Sequence, residues 1–450
     1  MQHYDLHIDG YQYEKNFMSA PQNPTLVLGA GPIGLAAAAH LAARGLPFLV
    51  LERGEHVGTN MSDWGHIRMF SPWQYAVDAT AVDLLGDSWI SPTLEDFPTG
   101  SDMVEQYLQP LAELPQIAPH LRFGHEVVSI HRAHMGRTMT PNRGDSPLIV
   151  TAATATGLIQ IAARAVIDAT GTWNHPNPAA TTGIRTDSEA AASEYIEYGA
   201  PDSAGALRGR YAGKRVAVIG GGHTAQNVLR ALATVRETDP TTDIHWLIRR
   251  GSAESLYGSG SADELSQRAA LGSAARDLVD SGAVLPHTGF LTHDFDIADG
   301  AVRVHSLDGQ SLVVDEVIVA TGQRPDHSTT AELQIDVDPV TEATRHLGPL
   351  IDPNVHSCAT VPPHGHREVG HPEPNFYTVG MKSYGRAPTF LLMTGYEQVR
   401  SVVAALAGDM EAADTVDFVL PESGVCGVPS ARVIVTSTGE EVIEQAGCCG

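Results

Sequence analysis

The stretch from Thr25 to Gly54, TLVLGAGPIGLAAAAHLAARGLPFLVLERG, decides the fold. An apolar run, Leu26-Val27-Leu28, meets the turn Gly29-Ala30-Gly31-Pro32-Ile33-Gly34. An alanine-rich helical segment follows, and Phe48-Leu49-Val50-Leu51 then leads to Glu52 and Arg53. Strand, glycine turn, helix and strand in this order form a dinucleotide-binding unit. The first glycine permits the tight turn, the second lets backbone approach a pyrophosphate, and the third packs helix against strand. The pyrophosphate lies on the helix N-terminus, where N–H groups and the dipole favour anions. Glu52 stands at the spacing expected of a carboxylate that binds ribose hydroxyls.

The pattern occurs twice. KRVAVIGGGHTAQNVLRALATV, from Lys214, repeats the opening with Gly220, Gly222 and Ala225, and places His223 and Thr224 in the turn. Its second strand, Ile244 to Ile248, runs into Arg249 and Arg250. After a long interval each copy has an apolar strand ending in Ala-Thr-Gly: Ala169-Thr170-Gly171 and Ala320-Thr321-Gly322. Two copies imply two nucleotide sites and an α/β fold with two Rossmann-like domains. The acid of the first copy suits the adenosine ribose of FAD. Arg249 takes the acid's place in the second, where a guanidinium pairs with a 2′-phosphate that a carboxylate would repel. NADPH is therefore expected over NADH; the alternative is that the arginines merely cap a sheet edge.

The rest of the chain sets limits. Its 450 residues suit two or three domains. A formal charge of −25 argues against nucleic-acid or anionic-membrane partners, which need basic surface. The longest apolar stretch, Leu26 to Leu51, is interrupted by Gly, Pro, His and Arg and is not a membrane span. The first residues carry acids and lack a continuous apolar core, so no secretion signal is read there. Four cysteines form no disulfide framework. A cytoplasmic protein with reduced thiols is expected.

On these motifs the chain resembles the two-dinucleotide-binding-domain flavoproteins, in particular flavin-dependent NADPH monooxygenases of the class B, CzcO-like kind. The resemblance spans about Thr25 to Asp409. Besides the glycine and ATG motifs it rests on ERGEHVGTNMSDW ending at Trp64, FPTGSDMVEQYLQPLAEL from Phe97, and ATGTWNHP around Trp173. It implies an FAD domain (1–180 and 329–410) interrupted by an NADPH domain (181–328), with a C-terminal extension at 411–450. NFYTVGMKSYGRAPTFLLMTGYEQVRSVVAALAGD, from Asn375, would be the returning strand and flavin-capping helix. FAD contacts are expected from Gly29, Gly31, Pro32, Ile33, Gly34, Glu52, Arg53, Trp64, Val127, Ala169, Thr170, Gly171, Gly380, Met381 and Leu391. NADPH contacts are expected from Gly220, Gly222, His223, Thr224, Ala225, Arg249, Arg250, Ala320, Thr321 and Gly322. Two departures stand out. Neither position where disulfide reductases of this architecture carry their redox cysteines has one here, and the F-x-G-x3-H-x3-W/P fingerprint is missing from EYIEYGAPDSAGALRGRYAGKRV.

The implied reaction is FAD reduction by NADPH, formation of a flavin C4a-(hydro)peroxide with O₂, and oxygenation of a nucleophilic N, S or metalloid small molecule. Alternatives are a reductase or dehydrogenase without oxygen incorporation, related to metals or metalloids through the C-terminal cysteines, and an FAD-binding sensor with slow turnover. Candidate catalytic residues are Lys382, Arg68, Trp64 and Tyr384, with His66 and Arg386 nearby. Only Lys15, Lys214 and Lys382 are lysines, which singles out Lys382; a solvated loop cation is its plain reading. Expected partners are the substrate and O₂, and a homodimer is an open assembly. Cys448-Cys449 resembles the soft-metal tail of mercuric reductases, against a disordered tail. His356, Cys358, His364, His366 and His371 are read as an irregular loop leading to the flavin face, with zinc the lesser reading and no metal site assigned. Glu411, Asp414 and Asp417 are expected to be solvated. Leu420 to Gly450 reads as a short extension or strand pair, with Arg432 to Val435 its only strand-like run.

Overall fold

The computed structural model describes residues 11–13, 23–258, 266–356, 361–416, 432–435 and 441–444. Two five-stranded parallel sheets organise the chain. The first runs in the order Phe376–Thr378, Ala165–Asp168, Thr25–Leu28, Phe48–Leu51, Leu121–Arg122. The second runs Ile196–Tyr198, Glu316–Val319, Arg215–Ile219, Asp243–Ile248, Leu285–Thr288. The two orders correspond strand for strand, so the duplication seen in the motifs extends to the topology. In each, the glycine-turn strand sits centrally and is wholly or almost wholly buried, which is why it reads as a continuous apolar run.

The copies differ in where the outermost strand originates. Ile196–Tyr198 precedes its unit, whereas Phe376–Thr378 arrives after the whole second unit has been completed. The chain therefore crosses between the sheets twice, and the crossings run side by side. Asn177 N donates to Gly322 O at 2.9 Å, and Arg324 N to His175 O at 2.9 Å. Each unit also carries an antiparallel meander before its ATG strand: Glu126–Arg132, Leu148–Thr154 and Gly157–Ala163 in the first, Thr292–Ala298, Ala301–Ser306 and Ser311–Val314 in the second. Tyr11–Tyr13 joins the first meander as a parallel edge strand.

The helix Pro32–Ala43 is buried continuously from Ile33 to Leu41. A helix buried all round needs small side chains on the faces that approach other elements, and its alanines supply them. It packs against Leu392–Leu406, the long helix that follows the returning strand. Elsewhere, Glu373 is buried between two guanidinium groups: Arg132 Nε lies 2.7 Å from Oε1, and Arg143 Nε 2.8 Å from Oε2. The same arginines donate to carbonyls of Ser146, Pro374, Gly136, Met139 and Glu332. The triad ties the first meander to the returning segment.

Two expectations need correction. Asp414, although exposed, is held by Arg367 and His366 at 2.8 and 2.9 Å and is not simply solvated; Glu411 is exposed, and Asp417 lies outside the described residues. The helix Met410–Asp414, at the start of the extension, packs on Leu392–Leu406, and its Ala413 carbonyl accepts from Ser401 Oγ at 2.7 Å. The strand pair read in the extension is present, but Arg432–Val435 is not its only strand-like run, because Glu441–Glu444 pairs with it antiparallel. No helix among the described residues is long and apolar enough to cross a membrane.

Candidate functional site

The two glycine turns show the features that make room for a pyrophosphate. Gly29 has φ +95° and Gly220 has φ +136°, and a Cβ on Gly220 would fall only 2.2 Å from Ala320 O, so neither turn accepts a side chain without strain. A Cβ on Gly34 would lie 1.9 Å from Gly29 O, the close helix–strand contact that the third glycine serves. The middle glycines behave differently: a Cβ on Gly31 or Gly222 would meet nothing within 4 Å. Glycine there keeps open space clear, as the approach of a ligand requires.

The helices after these turns, Pro32–Ala43 and His223–Thr238, begin without a side-chain cap and without an acid in the first turn. The helices following Asp78, Thr99, Thr186 and Asp409 are each capped by that residue's side chain, whereas others, Leu392–Leu406 among them, also start without one. Leaving a helix start uncapped costs stability unless another acceptor takes the N–H groups. At these two starts the glycines leave space for phosphate oxygens to be that acceptor. The residues thus fit two dinucleotides.

Around the first turn, Glu52 is 8% exposed and its carboxylate is already oriented. Oε2 accepts from Ala30 N at 2.7 Å and Oε1 from Gly54 N at 2.8 Å, which leaves lone pairs for ribose hydroxyls. Arg53 is exposed and reaches Asn60 and Asn174. Val127 is half-buried on the meander strand that begins just after His125, whose N donates to Glu52 O. Around the second turn, Ala225 is buried, and the exposed His223 ring meets Phe70 edge-on at 5.1 Å. Arg249 is exposed at the end of Asp243–Ile248, while the half-buried Arg250 donates to Ser255 Oγ at 3.0 Å. Thr321 Oγ1 donates to the carbonyls of Asn177 and Pro178, so the second ATG braces the crossing between sheets.

The returning strand brings Gly380, Met381 and Lys382 beside the first turn. Gly380, at φ +68°, packs on Ile33, its Cβ position being 3.1 Å from Ile33 Cγ1. Leu391, half-buried, opens the helix Leu392–Leu406. Lys382 is no solvated cation: it is 4% exposed, and its Nζ donates to Asp168 Oδ2 at 2.6 Å and to Thr170 Oγ1 at 3.3 Å. Thr170 in turn donates to Asp168 Oδ1 through both N and Oγ1. Burial alone would raise the Asp168 carboxyl, but the Lys382 charge and these hydrogen bonds prevail and hold it below the usual carboxylate range.

The other candidates are dispersed. Trp64 is half-buried and tilted against Trp173 at 6.4 Å, and Asp63 accepts from the Trp173 indole at 2.9 Å. His66 and Arg68 are exposed, with Arg68 donating to Phe97 O. Tyr384 lies wholly inside the core, its hydroxyl 3.3 Å from His364 Nε2. Arg386 is exposed and paired with Glu342. The histidine-rich segment is not irregular throughout, since His366–Val369 forms a short helix. Its histidines diverge: His364 turns inward, His366 pairs with Asp414, and His371 accepts or donates at Thr378 Oγ1 and the Asp336 backbone. Among the described residues no group of three or more His, Cys, Asp and Glu is arranged to hold a metal ion. Cys358, Cys448 and Cys449 lie outside the described residues.

Asp168, Gln398 and Glu373 were not singled out from sequence. Asp168 carried a signal, being the one acid in the apolar strand AVID. Gln398 carried none, because its role depends on a helix face meeting a loop distant in sequence.

Two parallel sheets, each with an open glycine turn under an uncapped helix, define a flavin- and pyridine-nucleotide-dependent oxidoreductase. The chain belongs to the pyridine nucleotide-disulphide oxidoreductase family, whose sequence pattern matches residues 26–348. It is 38% identical over 101 residues to indole-3-pyruvate monooxygenase YUCCA1 of Oryza sativa subsp. japonica, and that match spans 22% of each chain. In fold it is similar to the bacillithiol disulfide reductase Bdr of Bacillus cereus, at 16% identity with a TM-score of 0.63, covering 86% of this chain and 99% of that one. It is also similar to the ornithine N-hydroxylase KtzI of Kutzneria sp. 744, at 16% identity with a TM-score of 0.58, covering 87% of this chain and 100% of that one.

Proposed function

We propose that this protein is an FAD-dependent NADPH monooxygenase that oxygenates a small nucleophile at N, S or a metalloid. The FAD part would comprise 1–180 and 329–410, and the NADPH part 181–328. One observation carries the reading: the whole span matched by the disulphide oxidoreductase family, 26–348, contains no cysteine. A disulfide-exchanging member of that architecture needs a thiolate there. The local likeness to a plant monooxygenase points the same way.

Bound FAD supplies the hydride acceptor and, once reduced, the means of activating O₂. The chain's own residues bind, orient and enclose. Gly31 and the start of Pro32–Ala43 take the FAD pyrophosphate, and Glu52 takes the adenosine ribose. Gly222 and the start of His223–Thr238 take the NADPH pyrophosphate, and Arg249 the 2′-phosphate. Lys382, locked to Asp168, fixes the loop that closes on the first turn. The half-buried Trp64 and the core behind Gly380 exclude water from that side.

The test uses the purified flavoprotein. NADPH oxidation and O₂ uptake are followed across amines, thioethers and metalloid oxyanions, with ¹⁸O₂ tracing the product. Substrate-stimulated NADPH use with ¹⁸O in the product supports the reading. Electron flow to a disulfide or quinone without oxygen incorporation sinks it.

A further inference from the structure

Behind Gly380 lies a polar network within the core, formed by residues that are all essentially inaccessible: His364, Ser383, Tyr384 and Gln398. Gly380 N donates to Gln398 Oε1 at 2.8 Å, and Gly380 O accepts from Ser383 Oγ at 2.7 Å. Both polar groups of the glycine are therefore engaged from the side of the helix Leu392–Leu406 and its own loop.

The donors and acceptors fix the orientation of the Gln398 amide and the tautomer of His364. A backbone N–H can only donate, so Gln398 presents its oxygen to Gly380. Its amide nitrogen then points the other way, donating to Ser383 Oγ at 3.0 Å and to His364 Nε2 at 3.1 Å. His364 Nε2 must consequently be the unprotonated nitrogen, and it faces the Tyr384 hydroxyl as well at 3.3 Å. The ring proton sits on Nδ1, where it is donated to Pro362 O at 3.0 Å. The Gly380 peptide, the Gln398 amide and the His364 tautomer determine one another.

We propose that Gln398 and His364 are positioning residues for the flavin: they set the plane of the Gly380 peptide where the returning loop closes on Ile33 of the first glycine turn. This rests on the flavin assignment above and adds residues to it that touch no ligand. The loop has two anchors, since Lys382 is bound to Asp168 at its middle while the network holds its first residue. Gly380 can pack directly on Ile33 because it lacks a Cβ and has a positive φ. The network holds the N–H of Gly380 through Gln398 and its C=O through Ser383, so the peptides on both sides of the glycine are fixed. Burial also pushes the His364 imidazole below its ordinary value, against the backbone acceptor Pro362 and the charge of Glu368, which favour the proton. The neutral ring that the network requires is thus the one the surroundings maintain.

The test pairs Gln398→Met, which keeps the length of the side chain and removes both hydrogen-bonding ends, with Gln398→Glu. The glutamate still accepts from Gly380 N and forces His364 to become the donor. Four quantities are measured: FAD affinity of the stripped protein, midpoint potential and absorption spectrum of the flavin, and hydrogen exchange of the 376–386 backbone without FAD. Gln398→Met is expected to weaken FAD binding at least about tenfold, shift the spectrum, and raise exchange in that segment. Gln398→Glu is expected to recover most of the affinity, with a dependence on pH that the wild type lacks. Raised exchange with unchanged affinity, spectrum and potential would overturn the positioning role. Unchanged exchange would overturn the network itself. Failure of the wild-type protein to bind FAD would instead refute the flavin assignment, and it is seen before any variant is made.

Discussion

The Nζ of Lys382 lies 2.6 Å from Oδ2 of Asp168, and both side chains are buried. Asp168 ends the strand beside the central one in the first sheet, and Lys382 follows the strand paired to it on the other side. Removing one member leaves an uncompensated charge in the interior. Lys382→Met should therefore cost about 3–5 kcal/mol, and Lys382→Met combined with Asp168→Leu should recover a large part of it. Denaturant melts of the single and double variants check this. In the assembled enzyme, Lys382→Met should also raise NADPH oxidation that yields no product.

The glycines should separate folding from binding. Gly31→Ala and Gly222→Ala place a methyl in open space, so melting temperatures should stay near that of the wild type. The first should lose FAD and the second NADPH, because the methyl occupies the approach of the pyrophosphate. Gly34→Ala and Gly220→Ala bring Cβ to within 1.9 and 2.2 Å of backbone oxygens and should destabilise the fold itself. Melting curves alongside cofactor titrations distinguish the two classes.

Arg249→Ala should raise KM for NADPH about 10- to 100-fold and leave NADH nearly untouched, the loss of a charge-assisted hydrogen bond to phosphate. Arg250→Ala should do less, since Ser255 already engages that guanidinium. The ratio of kcat/KM for the two nucleotides reads both. An unchanged ratio in Arg249→Ala would show that the arginine only caps the sheet.

Acid should unfold the returning segment. Burial lowers the His371 pKa to about 4 from its ordinary value near 6.5. The unfolded chain takes up this proton as pH falls below 6.5, while the folded chain declines it until about 4. Stability is complete above the higher value and falls through that window, by on the order of 3 kcal/mol. His371→Gln should flatten the dependence of melting temperature on pH between these limits.

Glu373→Gln should be among the most damaging single changes, at about 3–5 kcal/mol, because two buried guanidinium groups lose their counter-charge. The loss should appear in denaturant melts without altering nucleotide preference.

The motifs were legible because they depend on local chain geometry. A glycine turn between an apolar strand and a helix announces itself in a few consecutive residues, and two copies announce two units. The placement of Glu52 and Arg249 follows from counting along the chain. The partner of Lys382 could not be read this way: its scarcity drew notice, yet a lysine in a loop looks the same whether its nearest carboxylate is water-exposed or buried 214 positions away. The histidine-rich run shows the converse. Residues close in sequence invite a shared site, but a short helix and a turn send His364, His366 and His371 in different directions.

What the sequence determined by itself was the pair of nucleotide units, their order, and a disulphide-oxidoreductase framework without its thiols. Each is a matter of residue type and spacing along one backbone. Tertiary structure alone decided that the last strand of the first sheet returns from beyond the second, that Lys382 closes on Asp168, and that Gln398 and His364 secure Gly380. Those relations join residues whose separation in the chain carries no trace of their contact. They exist because leaving a buried polar group without a partner is costly, and only the packed fold determines which partner is within reach.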